Sequence, residues 1–159
     1  MSDANPFPAV ASDLLQTVEA ALPKLRSISE FESTRPRATD KWSPKQVIGH
    51  LIDSAANNHQ RFVRAQQGPD LTFPPYAQDH WVSSQHYQDR SWHDLTTFWH
   101  AYNLHLAHVI RQIPDDRRHV SCTIEAPAPV TLEFLTQDYV VHLRHHLAQV
   151  QALPTEKPL

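Results

Sequence analysis

Residues 142–150, HLRHHLAQV, contain three histidines in a segment whose apolar residues otherwise follow the spacing of an amphipathic helix. Residues four apart lie on one helix face with Cβ atoms about 5–6 Å apart, so the imidazoles of His142 and His146 can reach one divalent metal ion. Twelve histidines among 159 residues give about one such pair by chance, so the spacing alone decides little. The face is more informative, because Leu135 and Tyr139 place the pair beside the stripe that enters the core, where unpaired imidazoles are costly.

A third candidate ligand, His50, belongs to a different predicted helix. It lies with Asp53 and Ser54 on the polar flank of an apolar face and is followed by Arg61. Such a polar strip can line a cavity between helices. Asp53, one turn from His50, is suited to orient its imidazole, as carboxylates often do for metal-bound histidines. A solvated helix face is the alternative that spacing leaves open.

Composition excludes several other classes of protein. The 14 Lys and Arg residues are scattered and are outnumbered by 17 Asp and Glu, which gives a formal net charge of -3 and predicts no nucleic-acid partner. Two glycines leave no room for a glycine-rich phosphate loop. The sequence has neither a signal-peptide pattern nor an apolar run of about 20 residues, and the single cysteine, Cys122, has no partner for an internal disulfide. We therefore expect a cytoplasmic protein that does not enter a membrane.

Apolar residues recur at three- and four-residue spacing in four long segments, which predicts an all-α four-helix bundle formed by a single domain over residues 1–159. The second segment has the clearest start, since Ser43 suits the N-cap, Pro44 the first helical position, and Gln46 completes a capping box. Thr131 is the predicted cap of the last segment. The predicted helices cover residues 11–28, 44–67, 91–113 and 131–153.

The connection from residue 68 to residue 90 is too long for a simple turn between the second and third helices. Its aromatic residues predict a partly structured cover packed over one end of the bundle, with a short helix across residues 78–87. These aromatic residues are Phe73, Tyr76, Trp81 and Tyr87. The proline-bounded stretch 117–129 is predicted to be an extended loop. Whether the connection acts as a lid is left open.

Two stretches together resemble the DinB/YfiT-like family: KWSPKQVIGHLID at residues 41–53 and DYVVHLRHHLAQV at residues 138–150. This resemblance implies a four-helix bundle, commonly a homodimer. It also implies a divalent metal held by one histidine of the second helix and an H-x-x-x-H pair of the fourth, which here match His50, His142 and His146. The family includes transferases that use low-molecular-weight thiols, so the resemblance implies a small-molecule substrate but does not specify it.

Three neutral imidazoles leave a metal ion with open coordination positions, as in catalytic rather than structural sites, and they suit zinc or nickel. The HLRHH sequence lacks the glutamate of the H-E-x-x-H metalloproteases, so proteolysis is disfavoured. A proton acceptor must come from elsewhere, and the candidates are Asp53, Asp79 and Tyr139.

Two hypotheses about function follow from these residues and the resemblance. The first is a metal-dependent enzyme, either a thiol S-transferase or a hydrolase. The alternative is a non-catalytic, dimeric metal-binding or stress-related interaction module. Dimerisation through aromatic residues of the third helix is compatible with both.

Overall fold

The computed structural model describes residues 4–125 and 128–151 and has four long helices of 20 or 21 residues. These are α1 (Phe7–Arg26), α3 (Pro44–Arg64), α5 (Trp92–Arg111) and α6 (Leu132–Gln151), with two short helices, α2 (Glu30–Ser33) and α4 (Gln78–Ser84), between them. Both α1 and α3 pack mainly against α5 and α6. Helices α1 and α3 therefore lie diagonally across the bundle from each other, as do α5 and α6. This arrangement makes α3 and α6, which carry the three candidate ligands, direct neighbours.

Side-chain caps fix the starts of the last three long helices where the sequence predicts them. The backbone N–H of Gln46 donates to Ser43 Oγ at 3.3 Å, and Gln46 Oε1 accepts from the Ser43 N–H at 2.9 Å. Ser91 Oγ accepts from the N–H of Asp94, and Thr131 Oγ from that of Phe134. Each cap satisfies a backbone donor that the first helical turn leaves unpaired.

The other predicted helix boundaries are less accurate. Helix α1 begins at Phe7 rather than at residue 11, because prolines favour the first helical positions and the Phe7 side chain is fully buried. It also continues through Pro23, whose carbonyl accepts from the N–H of Ser27. Helix α3 ends at Arg64, three residues before the predicted end. The last two residues predicted for α6, 152 and 153, lie outside the described residues.

A small three-stranded sheet lies beside the bundle and was not predicted. Strand β1 (Asp70–Thr72) pairs in parallel with β2 (Ser121–Thr123), which pairs antiparallel with β3 (Val130–Thr131). The stretch predicted as an extended loop thus contains a paired strand. The buried side chains of Leu71 and Cys122 are register partners in the first pair. The sheet attaches the long connection to the start of α6.

The connection between α3 and α5 is ordered as a cover, as predicted. The helix predicted over residues 78–87 corresponds to α4, which ends earlier, at Ser84. A 3-10 turn at Tyr87–Asp89 follows it. Trp81 of α4 packs edge to face on Tyr76, with ring centroids 5.4 Å apart. Within the described ranges, no helix is long and apolar enough to cross a membrane.

Candidate metal centre

Three imidazole rings from two neighbouring helices converge on one point. His142 Nε2 lies 3.3 Å from His50 Nε2 and 3.1 Å from His146 Nε2. His50 lies in the second turn of α3, which the Ser43 cap fixes, and the other two histidines lie on successive turns of α6. The structure therefore brings together the three residues that the sequence singles out. The cluster contains no other His, Cys, Asp or Glu from the described part of the chain.

The three histidines are neutral at physiological pH. Burial, reinforced by the charge of the neighbouring imidazoles, lowers the pKa of His50 to about 3 and that of His142 to about 4. Burial also lowers the pKa of His146, although its hydrogen bond with Gln149 acts in the opposite direction. A neutral imidazole has one nitrogen with a free lone pair, which is the form that binds a metal ion.

Gln149 and Trp42 hold two of these rings in place. The Nδ1–H of His146 donates to Oε1 of Gln149 at 2.9 Å, which leaves the lone pair on Nε2. The indole of Trp42 packs on His50, with ring centroids 5.0 Å apart and the planes tilted by 41°. His50 is only 1% exposed, and its Nδ1 has no hydrogen-bond partner among the described residues.

The donor set fits a divalent metal ion. Lone pairs of Nε2 atoms at 3.1 and 3.3 Å repel one another, and a single N–H on His142 can compensate for only one of the two contacts. Zinc–nitrogen bonds of about 2.0–2.1 Å in a tetrahedral site put two ligand nitrogens about 3.3 Å apart, close to both distances. A cation shared by the three nitrogens relieves the repulsion.

Asp53 does not orient His50 by a hydrogen bond in the structure, contrary to that interpretation of the sequence. Its Oδ1 accepts from the hydroxyl of Tyr87 at 2.6 Å and from Nε2 of Gln85 at 2.7 Å. Burial raises the pKa of Asp53, while these two hydrogen bonds act against the shift. Both donors come from the long connection, so Asp53 ties this cover to α3. Its role as a proton acceptor stays a prediction.

The other two candidate proton acceptors lie in different environments. Asp79 is exposed on α4 and lines a cleft of about 590 Å³ together with Trp42, His146 and Gln149. Tyr139 is buried, its hydroxyl donates to Asn103 Oδ1 at 2.6 Å, and burial raises its pKa. Tyr139 therefore keeps its proton at neutral pH. Both assignments stay predictions.

A second cleft, of about 430 Å³, reaches the cluster from the side of His142. Arg61 and Tyr76 line it, together with Asp138 of α6. In the sequence, Arg61 follows the polar strip of the second predicted helix, and no role was predicted for it. The spacing of that strip could have identified Arg61 as a residue of the site. Arg61 is eleven residues from His50, and a helix of 3.6 residues per turn returns to nearly the same face after eleven residues.

Comparison with known proteins agrees with this architecture. A model of the DinB superfamily matches residues 13–150, so the chain belongs to this superfamily. Among solved structures, it is similar to YfiT from Bacillus subtilis, described as a probable metal-dependent hydrolase with an unusual four-helix bundle topology. The two share 20% sequence identity with a TM-score of 0.78, over 90% of this chain and 85% of that one. A search of curated proteins gives no match.

Proposed function

We propose that the chain is a divalent-metal-dependent enzyme whose ion, zinc or nickel, is held by His50, His142 and His146. The observation that carries this proposal is the convergence of three neutral imidazole nitrogens from α3 and α6. Three protein ligands leave a coordination position for water or substrate, as in catalytic zinc sites. The DinB superfamily membership and the description of YfiT support the same class of activity.

The reaction that we propose is hydrolysis or thiol transfer on a small molecule. When bound, a divalent ion would lower the pKa of a coordinated water or thiol and polarise a substrate carbonyl. The chain's own residues prepare the site: Gln149 keeps the lone pair of His146 on Nε2, and Trp42 packs over His50. Among the three candidate proton acceptors, Asp79 is the best placed, because it shares a cleft with His146 and is exposed to solvent.

The two clefts favour an enzyme over a non-catalytic interaction module. A structural site would be closed by a fourth protein ligand, and the cluster contains none from residues 4–125 and 128–151. His142 lines one cleft and His146 the other. A substrate can therefore approach the open coordination position from solvent.

The activity is tested with chelator-stripped protein reconstituted with Zn²⁺ or Ni²⁺. Hydrolysis of p-nitrophenyl acetate and conjugation of cysteine to monochlorobimane report on the two reaction types. We expect at least one rate to depend on the added metal and to be lost in His142→Ala. The exposed-histidine variant His93→Ala is the control and should keep that rate. Equal rates in the loaded parent and in His142→Ala, for both reactions, would contradict the proposal.

We also propose that the chain forms a homodimer, as the family resemblance implies, and that aromatic residues of α5 form the interface. Phe98 is 49% exposed and stacks on Tyr102, with ring centroids 5.7 Å apart. Two such aromatic pairs could bury one another across a two-fold axis. Sedimentation velocity should find a dimer for the parent and a monomer for Phe98→Glu. A parent that sediments as a monomer at all concentrations would contradict this proposal.

A further inference from the structure

Arg61 is a buried cation near the histidine cluster. It is only 8% exposed, and its guanidinium carbon lies 5.6 Å from the centroid of the Phe73 ring. Its Nε has no hydrogen-bond partner in residues 4–125 and 128–151. Burying a charged group is costly unless it is paired, so an arginine in this position needs a compensating anion.

The guanidinium stays positively charged despite its burial. Burial lowers the pKa of Arg61, and the charges of Tyr76 and Glu125 partly oppose that shift. The pKa of arginine in water is above about 12, so the side chain stays protonated at neutral pH even when burial lowers that pKa. Glu125 is exposed and lines the same cleft, but it forms no ion pair with Arg61 within the described chain. The charge of Glu125 therefore compensates that of Arg61 only in part.

Arg61 and His142 line the same cleft of about 430 Å³, which has room for a small organic molecule. Other polar groups on its walls are the side chains of Ser54, Asn58 and Tyr76. Ile124 and Leu135 add an apolar portion. The walls of the cleft are thus mainly polar, with an apolar portion that can contact the hydrocarbon part of a small ligand.

The cleft also contains two carboxyl groups, those of Glu125 and Asp138. Their negative charges disfavour a dianion such as phosphate more strongly than a monoanion. A carboxylate carries a single charge and matches the planar fork of a guanidinium with two parallel hydrogen bonds. Organic carboxylates therefore fit this combination of charges better than phosphates do.

We propose that Arg61 binds the carboxylate of a small organic acid in this cleft, beside His142. The substrate of the metal centre would then carry a carboxylate group, a consequence that rests on the function proposed above. Arg61 would act as a substrate-binding residue that determines specificity. The binding itself does not depend on a metal ion, so it can be measured separately.

The test uses chelator-stripped protein, in which a carboxylate cannot bind through a metal ion. Isothermal titration calorimetry is carried out with benzoate, with its neutral analogue benzamide and with inorganic phosphate. The variants are Arg61→Gln, which removes the charge, and Arg61→Lys, which keeps the charge but not the planar fork. Arg64→Gln is the matched control, because Arg64 is exposed on the same helix and its Nε donates to Gln60 Oε1 at 2.7 Å.

We expect saturable benzoate binding to the parent and to Arg64→Gln, and no binding of benzamide. Arg61→Gln should bind benzoate at least about tenfold more weakly, as expected for loss of a charge-assisted hydrogen bond. The proposal is overturned if the parent does not bind benzoate, if Arg61→Gln binds it as tightly as the parent, or if phosphate binds more tightly than benzoate.

Two further measurements keep the test decisive if Arg61→Gln does not fold. Arg61→Lys should also weaken benzoate binding, and NMR titration of the parent should shift the Arg61 Nε–H signal, assigned by its absence from Arg61→Lys. An unshifted signal at saturating benzoate overturns the proposal. Failure of the metal site would leave these results unchanged, whereas failure of carboxylate binding would leave the metal content unchanged, so the two proposals are tested independently.

Discussion

Gln149 accepts a hydrogen bond from Nδ1 of His146 at 2.9 Å, one turn along α6. The bond fixes which nitrogen carries the proton and points the lone pair of Nε2 at His142 Nε2, 3.1 Å away. Nε2 of the same glutamine lies 3.3 Å from His145 Nε2. Gln149 thus links the candidate metal centre to the surface of the helix.

The first prediction concerns this glutamine. Gln149→Ala should weaken metal binding about 10- to 100-fold, the usual effect of losing a partner that orients a ligating histidine. The stoichiometry at saturation should not change, because all three imidazoles remain. Competition with a chromophoric chelator measures the affinity. Gln137→Ala, an exposed glutamine on the same helix, is the control and should bind metal like the parent. An unchanged affinity in Gln149→Ala would show that His146 needs no such support.

Gly49 gives the second prediction, because its position next to His50 leaves no space for a side chain. A Cβ added there would lie 2.1 Å from Cδ2 of Tyr87. Gly49→Ala should therefore lower the free energy of unfolding by about 1–3 kcal/mol, through overpacking. Alanine normally stabilises a helix interior by about 1 kcal/mol relative to glycine. A loss of stability in Gly49→Ala would therefore indicate overpacking by its sign alone.

Urea denaturation measures this difference, with Gly68→Ala as the control. At Gly68 an added Cβ would meet only Asp70 O, at 3.9 Å, so that substitution should change stability little. Equal or greater stability of Gly49→Ala would mean that Tyr87 moves aside without cost, and that the cover is not tightly fixed on α3.

Cys122 gives the third prediction, because burial raises the pKa of its thiol to about 11. The side chain is fully buried in β2, and its Sγ lies 3.5 Å from the carbonyl oxygen of Val120. The thiolate is the reactive form, so the native protein should react with Ellman's reagent at pH 8 far more slowly than the urea-unfolded chain. Equal rates in the two states would show that the sheet opens readily.

The helix starts could be predicted because their signals are local. Ser43 and Gln46 are three residues apart, and the cap that they form depends little on the rest of the fold. The sheet could not be predicted in this way. Strands β1 and β2 have three residues each and pair across about fifty residues of chain, so neither has a periodic pattern long enough to identify it.

The candidate site was predictable to a similar, limited extent. The spacing of His142 and His146 follows from helix geometry. The polar strip of the second predicted helix made His50 a candidate third ligand, and the family resemblance implied the same residue. Contacts that depend on how helices and the connection pack could not be inferred. Asp53 bonds to Tyr87, 34 residues away, rather than to its helical neighbour His50, because the fold of the connection brings that hydroxyl into reach.

The most direct test of the central claim is the metal content and affinity of untagged protein, for the parent, His50→Ala and His142→Ala. These two ligands lie on different helices, and His93→Ala serves as the control for loss of an exposed histidine. We predict about one divalent ion per chain in the parent and in His93→Ala, and loss of tight binding in both ligand variants. A parent that binds no metal, or a His50→Ala variant that binds it with full affinity, would contradict the three-histidine centre.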